Sequence, residues 1–390
     1  MASFALRPHS VLPGAIVVLR RWAGEFGPPV LLFGAVCLLQ LGLIAVLRDA
    51  GSPPLGRLLL GWDGRLYLAV AEHGYPAGLP HDAPGLAGPG SRLALFPVFP
   101  AAVRAAHLLT GLDFADAALL VSRLAAGVAA VLVHRLFGRL HDRRTGLFMV
   151  ALTAAQPMAV VLGMGGSEAV FLACAAGALL AAYRGCWAAA GVCGVLAGLT
   201  RCAGLAVGAA LVLAAVLALR GERRWRWRPV AAALAGCAAT PGYLLWVGRR
   251  TGSPDGWFRI QRSGWGAALD WGAQTWDFVG DRLSGGTGWV ELSIALLVLA
   301  AVGGCLLALP ARPWPPLALY GLLVTAIALG QSGSYSCKPR LLVPALIFLL
   351  PAAVALGRVR PWVAWPLTGA VVLAGGWYGA YLLTGWPAAV

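Results

Sequence analysis

WVELSIALLVLAAVGGCLLAL, Trp289 to Leu309, runs for 21 residues with a single carboxylate, Glu291, near its start. At about 1.5 Å per residue, a helix of that length covers about 30 Å, the hydrocarbon thickness of a bilayer. The same texture recurs in PVLLFGAVCLLQLGLIAVL (Pro29 to Leu47) and in LVLAAVLAL (Leu211 to Leu219). Only 12% of the 390 residues are charged, about half the share in a soluble domain, and the mean hydropathy is +0.78. No stretch between the apolar runs is long enough to fold alone. The expected fold class is therefore an all-α polytopic membrane protein, a single domain over residues 1–390.

Apolar runs near 29–47, 114–134, 145–163, 168–183, 186–200, 203–219, 229–247, 288–309, 315–330, 341–357 and 361–383 predict about eleven transmembrane helices. They leave two hydrophilic stretches, 48–112 and 249–287. The arginines sort along this order. Arg7, Arg20 and Arg21 precede the first run, and Arg135, Arg139, Arg143 and Arg144 follow the second. Arg184 follows the fourth, Arg220, Arg223, Arg224, Arg226 and Arg228 the sixth, Arg312 the eighth, and Arg358 and Arg360 the tenth. With eleven crossings all of these share one side, which the positive-inside rule makes the cytoplasm. The acids Asp63, Glu72, Asp82, Glu168, Asp255, Asp270, Asp277 and Asp281 share the other. The expected topology has the N-terminus inside and both hydrophilic stretches outside. LFPVFPAAVRAAHLL, from Leu95, is apolar, but a full crossing there would invert everything after it. With Arg104, His107 and two prolines near its start, it reads as an amphipathic helix on the outer leaflet.

The net charge of +15 does not point to nucleic acid, because the basic residues form short clusters between apolar runs. RRWRWR, Arg223 to Arg228, reads as a cytoplasmic interfacial anchor. Lys338 is the only lysine, and the bias to Ala, Gly and Arg reads as high-GC coding, so a bacterial cell membrane is expected. The eight cysteines fall mostly inside apolar runs and suggest no disulfide framework. No small-residue cleavage site follows a short apolar core, so the first run reads as an uncleaved span.

The first hydrophilic stretch contains GWDGRLYLAVAEHGYP, Gly61 to Pro76. If Leu66 to His73 is helical, Asp63 and Tyr67 share a face, while Leu66, Ala69 and Val70 would rest on the membrane surface. That presents a carboxylate just outside the bilayer. The alternative role for Asp63 is to cap the helix, with Trp62 and Tyr75 as interfacial aromatics.

Trp62-Asp63, Tyr67-Leu68, His73-Gly74-Tyr75-Pro76 and Leu95-Phe96-Pro97-Val98-Phe99-Pro100, in this order, resemble the PIG-V family of mannosyltransferases. Weaker matches continue downstream. They are Gly166 to Leu172, Thr200 to Leu205, Thr251 to Pro254 with Gln261 to Gly266, and Arg340 to Ala345. Leu95, Met164-Gly165-Gly166 and Cys202-Ala203 depart from the family's usual residues. The resemblance implies a GT-C glycosyltransferase fold with its active site on the outer side. It makes Asp63 the base, or orienter, of the acceptor hydroxyl. It also sets Trp62, Tyr67, Glu72, His73 and Tyr75 beside the substrate.

Chemistry narrows the remaining candidates. Attack on an anomeric carbon bearing a phosphate leaving group needs a carboxylate by the nucleophile and cations by the phosphate. Glu168, at the outer end of an apolar run, is a functional candidate because an unpaired carboxylate there is costly. Its alternative role is to cap a helix beside Ser167. Arg201, Arg262, Lys338 and Arg340 could grip a lipid phosphate, or simply bind bulk anionic headgroups. His73 and His81 with scattered acids form no metal-ligand spacing, so neither metal nor cofactor is expected. The reading is an inverting transferase with a polyprenyl-phosphate sugar donor, mannose by resemblance, and a lipid or glycan acceptor. A lipid-borne donor accounts for the lack of a Gly-rich nucleotide-phosphate loop. The rival is a multi-pass lipid or solute transporter, or a flippase. It would hold its charges near mid-membrane and often show repeated halves. Convergence of Asp63, Glu168 and Arg201 on one outer cavity separates the two.

Overall fold

The computed structural model describes residues 12–49, 51, 53–77, 89–220, 227–285, 288–333 and 335–386. Arg7, His81, Asp82, Arg223, Arg224 and Arg226 lie outside them. Among the described residues there is no strand, only one isolated backbone bridge between Leu269 and Gln331.

The first apolar run lies in α1 (Leu12–Leu47), and the short α2 (Leu55–Leu58), α3 (Gly64–His73) and α4 (Val98–Thr110) belong to the first hydrophilic stretch. A bundle follows: α5 (Phe114–Leu140), α6 (Arg143–Ala155), α7 (Glu168–Tyr183), α8 (Trp187–Gly198), α9 (Gly204–Arg220) and α10 (Trp227–Thr251). The second hydrophilic stretch holds α11 (Gly256–Trp265) and α12 (Ala273–Gly285). The order continues through α13 (Trp289–Ala308), α14 (Pro315–Leu329), α15 (Lys338–Leu342), α16 (Leu350–Arg358) and α17 (Pro361–Thr384).

All eleven expected apolar segments are helical or carry helix. Among the described residues, however, only five helices are long and apolar enough to cross a membrane each, or six if a bent pair counts as one. The shorter ones stop where polar residues begin. α7 starts at Glu168, α8 ends just before Thr200-Arg201, and α14 ends just before Gln331. Irregular backbone at membrane depth is tolerated where it lines a cavity, and these helix ends do so. Caps fix other ends. Asp113 accepts from the backbone N–H of Asp116 at 2.7 Å to start α5, and Asp142 accepts from those of Arg144 and Thr145 to start α6.

The bent pair, Tyr335–Ala345 and Ile347–Arg358, turns by 75° at Leu346, which has a left-handed φ of 53°. Such strain in a bulky residue persists only where the surroundings impose it. Here Tyr320 donates to the carbonyl of Pro344 at 2.8 Å and Gln156 to that of Val343 at 3.0 Å, so the backbone groups freed at the break find partners. The break carries Lys338 and Arg340 on its short arm.

The core centres on α7, buried over almost its whole circumference between α5, α8 and α9. Small residues let backbones touch, as between membrane helices generally. A Cβ on Gly208 would lie 3.0 Å from the Cα of Cys237. On α3, Gly64, Tyr67, Val70 and Ala71 are buried and pack toward α4 and α5. Val70 thus corrects the expectation of a membrane-facing position: the apolar face of α3 is spent on protein contacts. α4 is a 13-residue amphipathic helix with Phe99 and Val103 buried and Leu108 and Leu109 exposed.

Candidate functional site

Asp63 stands immediately before α3, but its side chain makes no capping bond. Trp62 beside it has a left-handed φ of 55°, which turns the chain so that the carboxylate faces the bundle. The neighbouring Gly64 allows a close approach, since a Cβ there would lie 3.0 Å from the carbonyl oxygen of Gly165. Gly165 in turn donates its N–H to Leu59 at 2.8 Å. The first loop is thereby pressed against the start of α7, where Glu168 sits.

Arg340 joins the two acids. It donates to Oδ2 of Asp63 at 2.9 Å and to Oε1 of Glu168 at 2.7 Å through Nε, with a second nitrogen 2.6 Å from that oxygen. Arg201 donates to the same Oε1 at 2.7 Å and to the hydroxyl of Ser167 at 3.1 Å. Tyr67 donates to Ser167 at 2.9 Å. The guanidinium of Arg340 also lies over the ring of Trp62, 5.5 Å from its centre. Glu168 is therefore not a simple cap; Ser167 makes no side-chain capping bond either. Burial alone works against the charge on Arg201, but the Glu168 carboxylate outweighs it and holds the guanidinium protonated. Burial pushes the Tyr67 hydroxyl well above its ordinary range, so it stays a donor.

These groups border a cavity of about 180 Å³ whose walls include Asp63, Tyr67, Arg201, Trp265, Lys338 and Arg340. The side chain of Asp63 is 26% exposed and that of Glu168 only 3%. The difference decides their roles: Asp63 can meet a ligand, while Glu168 is the inner counter-ion of two arginines. Lys338 is buried and donates to the backbone carbonyls of Ala328 (3.2 Å) and Gln331, so it also closes the end of α14.

Other expected residues stand apart. Glu72 and His73 are exposed and face each other at 3.7 Å, on the side of α3 away from the cavity. Arg262 is exposed on α11 and is not among the cavity walls; its neighbour Gln261 is. Tyr75 donates to the carbonyl of Leu95 at 2.7 Å and meets Trp246 edge-on, lining a separate apolar groove of about 440 Å³ with Tyr243 and Leu199. Trp265 was missed as a site residue. Its indole N–H donates to Oδ1 of Asp63 at 3.3 Å, and Gly266, at φ 63°, ends α11 directly after it. Its signal was its place in the segment Gln261 to Gly266. No group of three or more potential metal ligands occurs among the described residues.

No family model matches the chain, and neither does any curated protein. Solved structures do. ArnT from Cupriavidus metallidurans bound to undecaprenyl phosphate aligns with a TM-score of 0.52 and 18% identity, over 87% of this chain and 62% of that one. The oligosaccharyltransferase of Archaeoglobus fulgidus in its apo form aligns with a TM-score of 0.51 and 13% identity, over 91% and 55%. The fold is that of the GT-C glycosyltransferases. The chain spans about three-fifths of ArnT's length and is a multi-pass membrane protein of this fold.

Proposed function

We propose that the chain is an inverting glycosyltransferase of PIG-V type. It would take a sugar, mannose first among candidates, from a polyprenyl-phosphate donor to a lipid or glycan acceptor on the outer face of a bacterial membrane. The observation that carries this reading is the partly open carboxylate of Asp63, held by Arg340 and Trp265 at the edge of the cavity. Asp63 and Arg201 line this cavity, and Glu168 lies behind it, tied to it through Arg201 and Arg340; this clustering favours an enzyme over a transporter. That ArnT was solved with undecaprenyl phosphate supports a lipid-phosphate ligand.

The chemistry follows from the arrangement. Each carboxylate oxygen has two acceptor directions. Trp265 and Arg340 take one on each oxygen of Asp63, leaving room for an acceptor hydroxyl. That oxygen attacks the anomeric carbon opposite the phosphate, the carbon–phosphate oxygen bond breaks, and Asp63 receives the proton. Asp63 and Glu168 against Arg201, Lys338 and Arg340 leave one net positive charge, matching the single negative charge of a phosphodiester donor. Glu168 holds both guanidiniums before the donor arrives, so little reorganisation accompanies charge build-up on the leaving phosphate. The apolar groove beside Tyr75 would take the first part of the prenyl chain.

The test is transfer of label from polyprenyl-phosphate-mannose into total lipid and glycan extract by the purified chain in liposomes. Product formation that disappears in Asp63→Asn is expected. Failure to transfer from any polyprenyl-phosphate sugar would sink the reading.

A further inference from the structure

The chain has five glutamines. Three are held by the protein itself. Gln40 donates to the carbonyl of Ala154 at 3.1 Å, Gln156 donates to that of Val343 at 3.0 Å, and Gln274 accepts from the N–H of Gly333 at 2.7 Å. The other two, Gln261 and Gln331, both stand on the wall of the cavity that holds Asp63. Among the described residues neither of their side-chain amides has a hydrogen-bond partner. Both residues are half-buried, and their amide atoms keep accessible surface, so they are not sealed off in packing.

The backbones beneath these two amides are fixed. Gln261 lies one turn before Trp265 on α11, so the two share a face, and Trp265 donates to Asp63. Trp257, a further turn back, lines the same cavity and donates to the carbonyl of Ala94 at 3.1 Å. Gln331 pairs with Leu269 in the isolated backbone bridge, and its carbonyl accepts from Lys338. Ser332 beside it donates to the carbonyl of Gly266 at 3.0 Å and accepts from the N–H of Ala268 at 2.9 Å. The end of α11 and the segment after α14 are thereby stitched together, each presenting one uncommitted amide to the same space. Groups held in place before binding lose less freedom when a ligand arrives.

Amide chemistry sets the class of ligand. An amide carries no charge, so it adds nothing to the match between arginines and a phosphate. It combines donors and an acceptor in one group, the complement of a hydroxyl, which is itself both. Placement sets the part of the ligand. Gln261 shares the face of Trp265 and so lies toward the carboxylate. Gln331 also lines a small pocket of about 30 Å³ with Glu168, Arg201 and Arg340, and so lies toward the guanidiniums. Between a carboxylate that takes the acceptor's proton and guanidiniums that hold the phosphate stands the sugar of the donor. We infer that Gln261 and Gln331 select the transferred sugar through hydrogen bonds to its ring hydroxyls. Their part in donor selection rests on the transferase reading; their contact with a sugar hydroxyl does not.

The probes are undecaprenyl phosphate and its β-D-mannosyl and β-D-glucosyl esters, bound to the full chain in nanodiscs. Gln261→Met and Gln331→Met, singly and together, remove the amides at nearly constant volume and leave the backbone bonds in place. In the double variant, affinity for at least one glycosyl lipid should fall at least about five-fold relative to affinity for undecaprenyl phosphate, the loss of roughly one net hydrogen bond. Affinity for undecaprenyl phosphate itself should match that of the unaltered chain, which also reports an intact site. An unchanged ratio for both sugars would overturn the inference, and so would an equal loss for all three lipids. Failure of the unaltered chain to bind either glycosyl lipid would overturn it together with the transferase reading. A shifted ratio in a chain that transfers neither sugar overturns the transferase reading alone. Transfer by the unaltered chain with an unchanged ratio in the variants overturns the selection by Gln261 and Gln331 alone.

Discussion

Arginines gather at both ends of the bundle, and they do different things there. At one end Arg201 and Arg340 are mostly buried and share the inner carboxylate of Glu168. At the other, Arg135 meets Glu25 at 3.0 Å with both side chains partly in solvent, while Arg143 and Arg144 reach the backbone carbonyls of Gly24 and Val359. A guanidinium in low dielectric with a fixed acid is a preorganised electrostatic tool. One at a wet interface is screened, and its pair contributes little. The same residue type thus meets solvent and backbone carbonyls at one end and a buried acid at the other; burial and a partner acid make the difference.

The broadest way to break this contrast is topological, and its outcome is all-or-none. Reporter fusions after Arg144, Arg228 and Arg360 should all report cytoplasm. An outside signal after Arg144 would mean that α4 crosses the membrane, and the two ends would exchange roles.

Next in size is Asp63→Asn. No capping bond is lost and Arg340 keeps Glu168 as a counter-ion, so the variant should still insert and fold, less stable by the lost Asp63–Arg340 pair. Turnover at saturating donor, normalised to folded protein, should drop by ~10²–10⁴-fold, the usual contribution of a general base. Asp63→Glu should also be poor, since a displacement of about 1 Å matters in a positioned site. Near-normal turnover of the Asn variant would remove Asp63 from the mechanism.

Glu168→Gln tests the inner counter-ion. It leaves two buried guanidiniums without their shared charge, and breaking such a pair typically costs about 3–5 kcal/mol. Thermal unfolding followed by size exclusion should show a clearly less stable protein. An unchanged midpoint would place Glu168 among the dispensable acids.

The smallest effects finish the comparison. Arg201→Lys and Arg340→Lys should raise the donor requirement roughly ten-fold or more, because a forked contact becomes a point charge. Arg135→Ala at the other end should change stability by less than about 1 kcal/mol and leave donor dependence untouched. Equal responses at the two ends would erase the distinction.

Hydrophobic runs made the eleven helical segments legible, because a bilayer requires long apolar stretches and arginine placement breaks their symmetry. The same reading singled out Glu168, Arg201 and Arg340 one by one, as polar groups stranded beside apolar runs, whereas Asp63 came from the first-loop motif and its family resemblance. Glu72, His73 and Arg262 looked equally suitable in one dimension, yet they face away from the cavity. Residue type and local period do not say which side of a short loop helix will be covered by distant segments. Trp265 escaped notice for the same reason: an indole N–H becomes meaningful only when a carboxylate stands within reach.

The amino-acid order by itself determined that this chain lives in a membrane, where its helical segments fall, and which acids and arginines deserved suspicion. Only the tertiary structure decided that Arg340, 277 residues after Asp63, closes an ion pair with it and binds Glu168 through the same guanidinium. The reason is physical. Crossing the bilayer is settled by the free energy of transferring each segment, a local property. The site is settled by a break at Leu346, a close approach at Gly64, and contacts among helix ends far apart in the chain.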